Sequence, residues 1–265
     1  MELLTRIETS SPSRYLQRQV RITLLLPPGY YRGSERYPIL FLHDGQDINT
    51  LHLEKTLNRM FQQQEIPPIV VVGIHAGHER KQEYGVASQA DFAGRGSKAS
   101  LHARFLTEEL RPFLLDHYRL YREPAHQFVA GFSLGGLSAL DILWHYPHYF
   151  SKVGVFSGAL WWRSRDLGKG YNDSTDRIMH AEIRKGNYRP GLQFWFQTGT
   201  EDESSDRNQN GIIDAIDDTL DLIDELERKG YRRGIDIAYL EVAGGRHNQE
   251  TWGAVMPEFL TWLCD

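Results

Sequence analysis

A serine flanked by glycines, Gly131-Phe132-Ser133-Leu134-Gly135, fits the pattern G-x-S-x-G. The pattern alone is common, but its surroundings are informative. The apolar "QFVA" precedes it as a strand, and "LGGLSALDILW" opens directly after it as an apolar helix. A strand that turns at once into a helix holds the serine in a strained backbone and lifts its hydroxyl above the sheet. Glycines on both sides let strand and helix approach where side chains would collide. The amides of the first helical turn then face any anion forming beside the serine. The competing reading is a glycine-rich turn in which Ser133 only caps a helix. Gly136 would also suit a phosphate loop, but neither G-x-x-x-x-G-K-[ST] nor G-x-G-x-x-G occurs here.

A hydroxyl becomes a strong nucleophile only when a base takes its proton. Of the eleven histidines, His247 lies in "YLEVAGGRHNQETW", between the last expected strand and the last expected helix. That is where the base of such an arrangement belongs. His145 and His148 flank "YP" at a helix end and read as cap or surface residues. His43 follows an apolar strand and is expected to line the same cleft. The base in turn needs a carboxylate to orient it. The strand "LQFWFQTG" runs into Glu201, Asp202 and Glu203, in the chain order serine, acid, histidine, and the residues themselves leave the choice of acid open. Trp161 and Trp162, after "FSGAL", read as an apolar or stacking wall of the cleft, or for at least one of them as core.

A second constellation begins at Asp206. Over twelve residues, side-chain oxygens fall at positions one (Asp206), three (Asn208), five (Asn210), nine (Asp214) and twelve (Asp217), with Gly211 at six. Ile212 at seven would offer its carbonyl, and Ile213 would anchor the loop in apolar packing. Hard oxygens at this spacing suit Ca²⁺ better than Mg²⁺, which prefers a tight octahedron and retained water. The segment resembles the calcium loops of EF-hand and dockerin modules, and Asp217 in place of a terminal glutamate brings it nearer to dockerins. The bland reading is a polar turn that caps the following helix.

These groups need a scaffold. Apolar runs at 20–26, 37–45, 69–77, 126–133, 152–158, 192–199 and 235–242 read as strands. Helical spacing covers 99–119, 134–147, 217–230 and 250–263. Buried strands alternating with helices predict an α/β fold with a mainly parallel sheet covered on both faces. The glycine-rich 87–100 reads as a loop, so residues 1–265 are expected to form one domain. Forty per cent apolar and twenty-five per cent charged residues are ordinary for a globular chain. A net charge of −5 gives no reason to expect nucleic acid or an anionic membrane as partner. The single cysteine, Cys264, excludes an internal disulfide. With no visible signal segment, the expected location is cytoplasmic.

Five segments in order, "PPGYYRGSERYPILFLHDGQD", "AGFSLGGLSAL", "FSGALWW", "TGTEDE" and "GGRHNQETW", resemble the esterase branch of the α/β-hydrolases. That branch includes esterase D-like, enterochelin and feruloyl esterases. The likeness spans about residues 15 to 263. It implies an α/β-hydrolase fold and a serine carboxylesterase acting on a small-molecule ester, with no metal or organic cofactor in the chemistry. Matching "GTED" to the family pattern carries the acid onto Asp202, with Glu201 and Glu203 as alternatives. The resemblance places oxyanion donors at the amides of Leu134 and of Gly45 or Gln46. It puts Arg80 in a loop near the site, to hold a substrate anion or to pair with a carboxylate. An acyltransferase of the same fold, or a non-catalytic calcium-dependent binding module, are the alternative functions.

Overall fold

The computed structural model describes residues 2–265. Strands β1 (Thr5–Ser13) and β2 (Arg18–Leu26) form an antiparallel ribbon in full register, from Thr5 opposite Leu26 to Ser13 opposite Arg18. Then come β3 (Ile39–His43), β4 (Val70–Ile74), β5 (Gln127–Phe132), β6 (Lys152–Phe156), β7 (Gln193–Glu201) and β8 (Ile237–Arg246). All eight join one sheet in the order β1-β2-β4-β3-β5-β6-β7-β8. The β1–β2 and β2–β4 pairs are antiparallel, and every other pair is parallel. Strands β3, β4 and β5 are buried at every position, as their unbroken apolar runs require when both faces are covered.

The covering helices are α1 (Leu53–Gln62), α2 (Arg80–Glu83), α3 (Ala99–Arg104), α4 (Arg111–His117), α5 (Leu134–His145), α6 (Asp173–Asp176), α7 (Ile178–Lys185), α8 (Asp214–Lys229) and α9 (Gln249–Cys264). They divide the core in two. Leu53, Leu57 and Met60 of α1 pack with Trp252, Met256 and Phe259 of α9 on one face. On the other, Leu137 and Leu140 of α5 join Met179 of α7 and Leu222 of α8. Helix α5 is buried on nearly all sides, which explains its almost wholly apolar sequence.

The expected helix over 99–119 runs unbroken from Ala99 to His117, with a π-helical turn, Phe105–Leu110, set between α3 and α4. Pro112 lies in the first turn of α4; lacking an N–H and crowding the preceding turn, it accounts for the wider π-helical turn just before it. No helix among the described residues is long and apolar enough to cross a membrane.

Candidate active site

Ser133 sits between β5 and α5 with φ 54° and ψ −121°, a region that a side chain rarely enters. The turn is held by its amide donating to Phe156 O (2.9 Å) and its carbonyl accepting from Ala159 N (3.1 Å). A Cβ on Gly131 would lie 2.4 Å from the Gly135 carbonyl, and one on Gly135 would lie 2.8 Å from Asp44 Oδ2. Both glycines of the pentapeptide are therefore sterically required. The residue itself is partly exposed at the carboxyl edge of the sheet.

Facing this turn is the segment after β3. Asp44 adopts a left-handed conformation (φ 58°, ψ 45°) and is buried. Arg80 donates to it twice, Nε to Oδ1 and Nη2 to Oδ2, each at 2.7 Å. Gln46 Nε2 donates to Asp44 Oδ1 (3.0 Å), and Gln46 Oε1 accepts from Ala76 N (3.0 Å). Gly45 presses so closely on β4 that a Cβ would meet the Gly73 carbonyl carbon at 2.4 Å. The segment bearing Gly45 and Gln46 is thus fixed against the segment bearing Leu134. Of the two readings for Arg80, the carboxylate pair is the one the structure displays.

His247 follows β8 and keeps part of its surface open to solvent, while its ring packs edge-on to Trp252 at 5.2 Å. Trp252 stacks on Phe132, beside Ser133, and donates to Ser157 Oγ at 2.9 Å. Gln249 Nε2 donates to Asp47 Oδ2 (3.3 Å), tying the His247 loop to the segment after β3. Desolvation against these neighbours lowers the His247 pKa; the Asp202 charge opposes the shift and the Arg80 charge adds to it. Asp202 follows Gly199 on β7; its Oδ2 accepts from Gly199 N at 3.0 Å, while Oδ1 is buried with no partner. The other carboxylates look elsewhere. Glu201 pairs with Arg246 at 2.9 Å, and Glu203 lies near Asp214 and Ala215 at the start of α8. In this conformation no hydrogen bond joins His247 to Ser133 or to Asp202.

The remaining expectations divide. His43, expected at the cleft, is fully buried beneath the Ser133 turn, because β3 is covered to its last residue. Trp162 is also fully buried, packed where Gly85 and Gly96 leave room for its ring, so it is the core member of the tryptophan pair. Trp161 is partly exposed. Arg95 lies 4.8 Å and Arg163 5.7 Å from its ring, and Arg163 also faces Phe92 and Tyr171. The wall expected at Trp161 is thus a stacking one, and sequence reasoning missed Asp44, Trp252 and the arginines Arg95 and Arg163 that face that ring. A cleft of about 870 Å³ lined by Leu51, Lys55, Gln249 and Gly253 lies between α1 and α9, beside the His247 loop.

In the 206–217 segment, Asn208 and Asn210 both donate through Nδ2 to Asp217 Oδ2, at 2.9 and 2.8 Å. Asp206 accepts from the amides of Asn210 (3.1 Å) and Gly211 (2.9 Å). Asp214 turns inward and accepts from the Arg207 amide at 2.9 Å. Gln209 and Gly211 have φ of 57° and 86°. Among the described residues no three His, Cys, Asp or Glu side chains are grouped as a metal-ligand set.

Comparison with known proteins gives a consistent picture. The model of the family described as "Putative esterase" matches residues 13–263. The uncharacterized protein YbbA of Bacillus subtilis is 28% identical over 247 residues, covering 92% of each chain. A ferulic acid esterase superposes with a TM-score of 0.74 at 15% identity, covering 99% of this chain and 98% of the other. The enterobactin esterase FES from Shigella flexneri superposes with a TM-score of 0.73 at 20% identity, covering 99% of this chain and 60% of its own. Both neighbours carry esterase names, and the likeness in fold covers nearly the whole chain.

Proposed function

The chain belongs to this esterase family, and from that premise we propose that it hydrolyses a carboxylic ester through an acyl-enzyme on Ser133. His247 takes the hydroxyl proton as Oγ attacks the ester carbonyl. The carbonyl oxygen becomes an oxyanion, received by the amides of Leu134 and of Gly45 or Gln46. Collapse expels the alcohol, which takes the proton from His247. Water then attacks the acyl-serine with His247 again as base, releasing the acid and restoring Ser133. Asp202 orients the imidazole and stabilises its protonated form.

The observation that carries this reading is Ser133 in its strained turn (φ 54°, ψ −121°) between β5 and α5, with the buried, unpaired Oδ1 of Asp202 in support. A buried acceptor without a donor is costly, and a turn of His247 would supply one. Such bonds are often open in a free enzyme and close around substrate. Arg95 is already paired with buried Asp91, so Arg163, which faces Trp161, Phe92 and Tyr171 and has no carboxylate partner among the described residues, is the group that supports an ester whose flat acyl part carries negative charge. The test is turnover of p-nitrophenyl butyrate and labelling by a serine-directed phosphonate. Ser133→Ala is expected to abolish both; unchanged turnover in that variant overturns the nucleophile.

A separate proposal concerns residues 206–217. Their spacing, and the convergence of Asn208 and Asn210 on Asp217, support a structural Ca²⁺ there. Half a turn of each amide would present oxygen in place of nitrogen at the same point. Asp206, Asp217 and the Ile212 carbonyl would complete the shell, and Asp214 would have to leave Arg207 to join it.

A further inference from the structure

Two imidazoles lie directly beneath the Ser133 turn, and no step of the proposed reaction uses either. His43, the last residue of β3, and His102, on α3, are both buried. His43 Nδ1 lies 2.8 Å from the carbonyl oxygen of Gly135 in the first turn of α5. His43 Nε2 lies 3.1 Å from His102 Nε2, and His102 Nδ1 has no partner.

These contacts fix every proton. A carbonyl oxygen only accepts, so His43 carries its hydrogen on Nδ1. A neutral ring has one N–H, so His43 Nε2 is an acceptor and His102 must donate to it from its own Nε2. That leaves His102 Nδ1 as a bare lone pair, which agrees with its lack of a partner. A lone pair left unbonded among apolar rings costs less than an N–H there with no acceptor, and a second proton on either ring would introduce a buried charge. The surroundings agree. Tyr84 packs against both rings at 5.1 and 5.0 Å, and Phe105 against His102 at 6.3 Å. The nearby charges are already paired, Arg80 with Asp44 and Arg18 with Glu83. Burial holds both rings below the ordinary histidine range; Asp44 and the Gly135 bond oppose this at His43, while Arg80 reinforces it, and Arg18 adds to it at His102.

We propose that His43 is a positioning residue: its Nδ1–H clamps the Gly135 carbonyl, and His102 locks it in the one tautomer that can do so. The clamp rests on the reading of Ser133 as nucleophile. Gly135 follows Leu134, whose amide is an expected oxyanion donor, so the clamp sets where that amide points relative to Ser133. Space is tight enough for this to matter: a Cβ on Gly135 would sit 3.1 Å from His43 Cβ. Oxyanion donors act over a few tenths of an ångström, and a misplacement of about 1 Å costs on the order of a hundredfold in rate.

The test combines a protonation map with a variant series. Nitrogen-15 NMR of the histidine-labelled enzyme is expected to show protons on His43 Nδ1 and His102 Nε2 and none on the other two nitrogens. A proton on His43 Nε2 overturns the proposal. His43→Leu is expected to lower kcat about tenfold or more, leave KM nearly unchanged and weaken a boronate transition-state analogue in proportion. His43→Asn, whose amide N–H stands where Nδ1–H stood, is expected to recover most of that loss. Equal kcat and boronate affinity in the Leu and Asn variants would reduce His43 to packing and overturn the proposal, whatever happens to the melting temperature. If His43→Leu does not fold, His102→Phe, which frees the His43 tautomer, is expected to show the same kcat-only defect, and a wild-type kcat there overturns the lock. Turnover surviving in Ser133→Ala would remove the nucleophile and the clamp's purpose together, while the NMR map would still report whether the pair is as described.

Discussion

Arg80 grips Asp44 through two parallel hydrogen bonds of 2.7 Å, and Asp44 immediately precedes the glycine on the segment facing Ser133. The carboxylate side chain is only 2% exposed and the guanidinium 31%. Removing the cation alone strands a buried charge in a left-handed turn. Arg80→Met is therefore expected to cost about 3–5 kcal/mol of stability. Adding Asp44→Asn removes the stranded charge, so the double variant should unfold at higher urea than Arg80→Met. A double variant no more stable than the single one would mean that the pair does not carry the turn.

The same arginine reaches the base. Partial desolvation and the Arg80 charge lower the His247 pKa, and the Asp202 charge raises it. A general base works when neutral, so kcat/KM should fall on the acid side at a pH below the ordinary histidine value of about 6.5. Asp202→Asn removes the carboxylate and should move that limb further into acid, with a rate loss of about 10²–10⁴-fold from the lost orientation. Arg80→Met should move it the other way. A pH–rate profile for each variant checks the pair of opposite shifts, and displacement in the same direction would contradict the assignment.

Much of the scaffold was readable because β3 to β7 are buried on both faces and so appear as unbroken apolar runs. Strand β1 is not legible in the sequence, because an exposed edge ribbon such as "TRIETSSPS" carries polar residues along most of its length. Helix α1 is hard to see in the sequence although Leu53, Leu57 and Met60 mark one face, because its many polar residues hide the spacing. The chain order of Ser133, Asp202 and His247 could be read, since each follows a strand of the parallel sheet, and the fold carries all three on one edge. Asp44, Trp252 and the Arg163 wall could not, because each acquires its role from a neighbour distant in sequence. His43 shows the converse: its place at a strand end suggested exposure, and only the packing of α3 and α5 over it reveals a buried ring.

A second histidine should govern stability on the alkaline side. His145, at the end of α5, lies 3.1 Å from buried Asp141 and 3.3 Å from Glu182. These carboxylates outweigh burial and raise its pKa to about 9. A pKa raised on folding gives stability that is complete below the unfolded value of about 6.5 and is lost as pH rises through about 9. The size should be roughly 1–2 kcal/mol after solvent screening. Urea midpoints measured from pH 6 to pH 10 should fall more steeply for the native chain than for His145→Gln. Parallel curves would show that the imidazolium contributes nothing.

The calcium proposal makes a prediction that separates it from a merely polar turn. Arg207 lies inside the 206–217 segment and bonds Asp173 of α6 (2.7 Å), Asp214 and Asp218 of α8. Arg177, which opens α7, bonds Asp218 and Asp221 from the other side. The loop therefore anchors α6 to α8 through Arg207, while Arg177 ties the start of α7 to the same helix. A bound Ca²⁺ would replace the amide-to-carboxylate bonds at Asp217 and stiffen this anchor. By mass action the ion should add about 2.7 kcal/mol at a hundredfold excess over Kd. Millimolar Ca²⁺ should thus raise the melting temperature by several degrees and chelator should reverse it, with Asp206→Ala and Asp217→Ala abolishing the response and Mg²⁺ acting weakly. A melting temperature indifferent to Ca²⁺, together with no calorimetric binding, would leave the segment as a capped polar turn whose anchor is Arg207 alone.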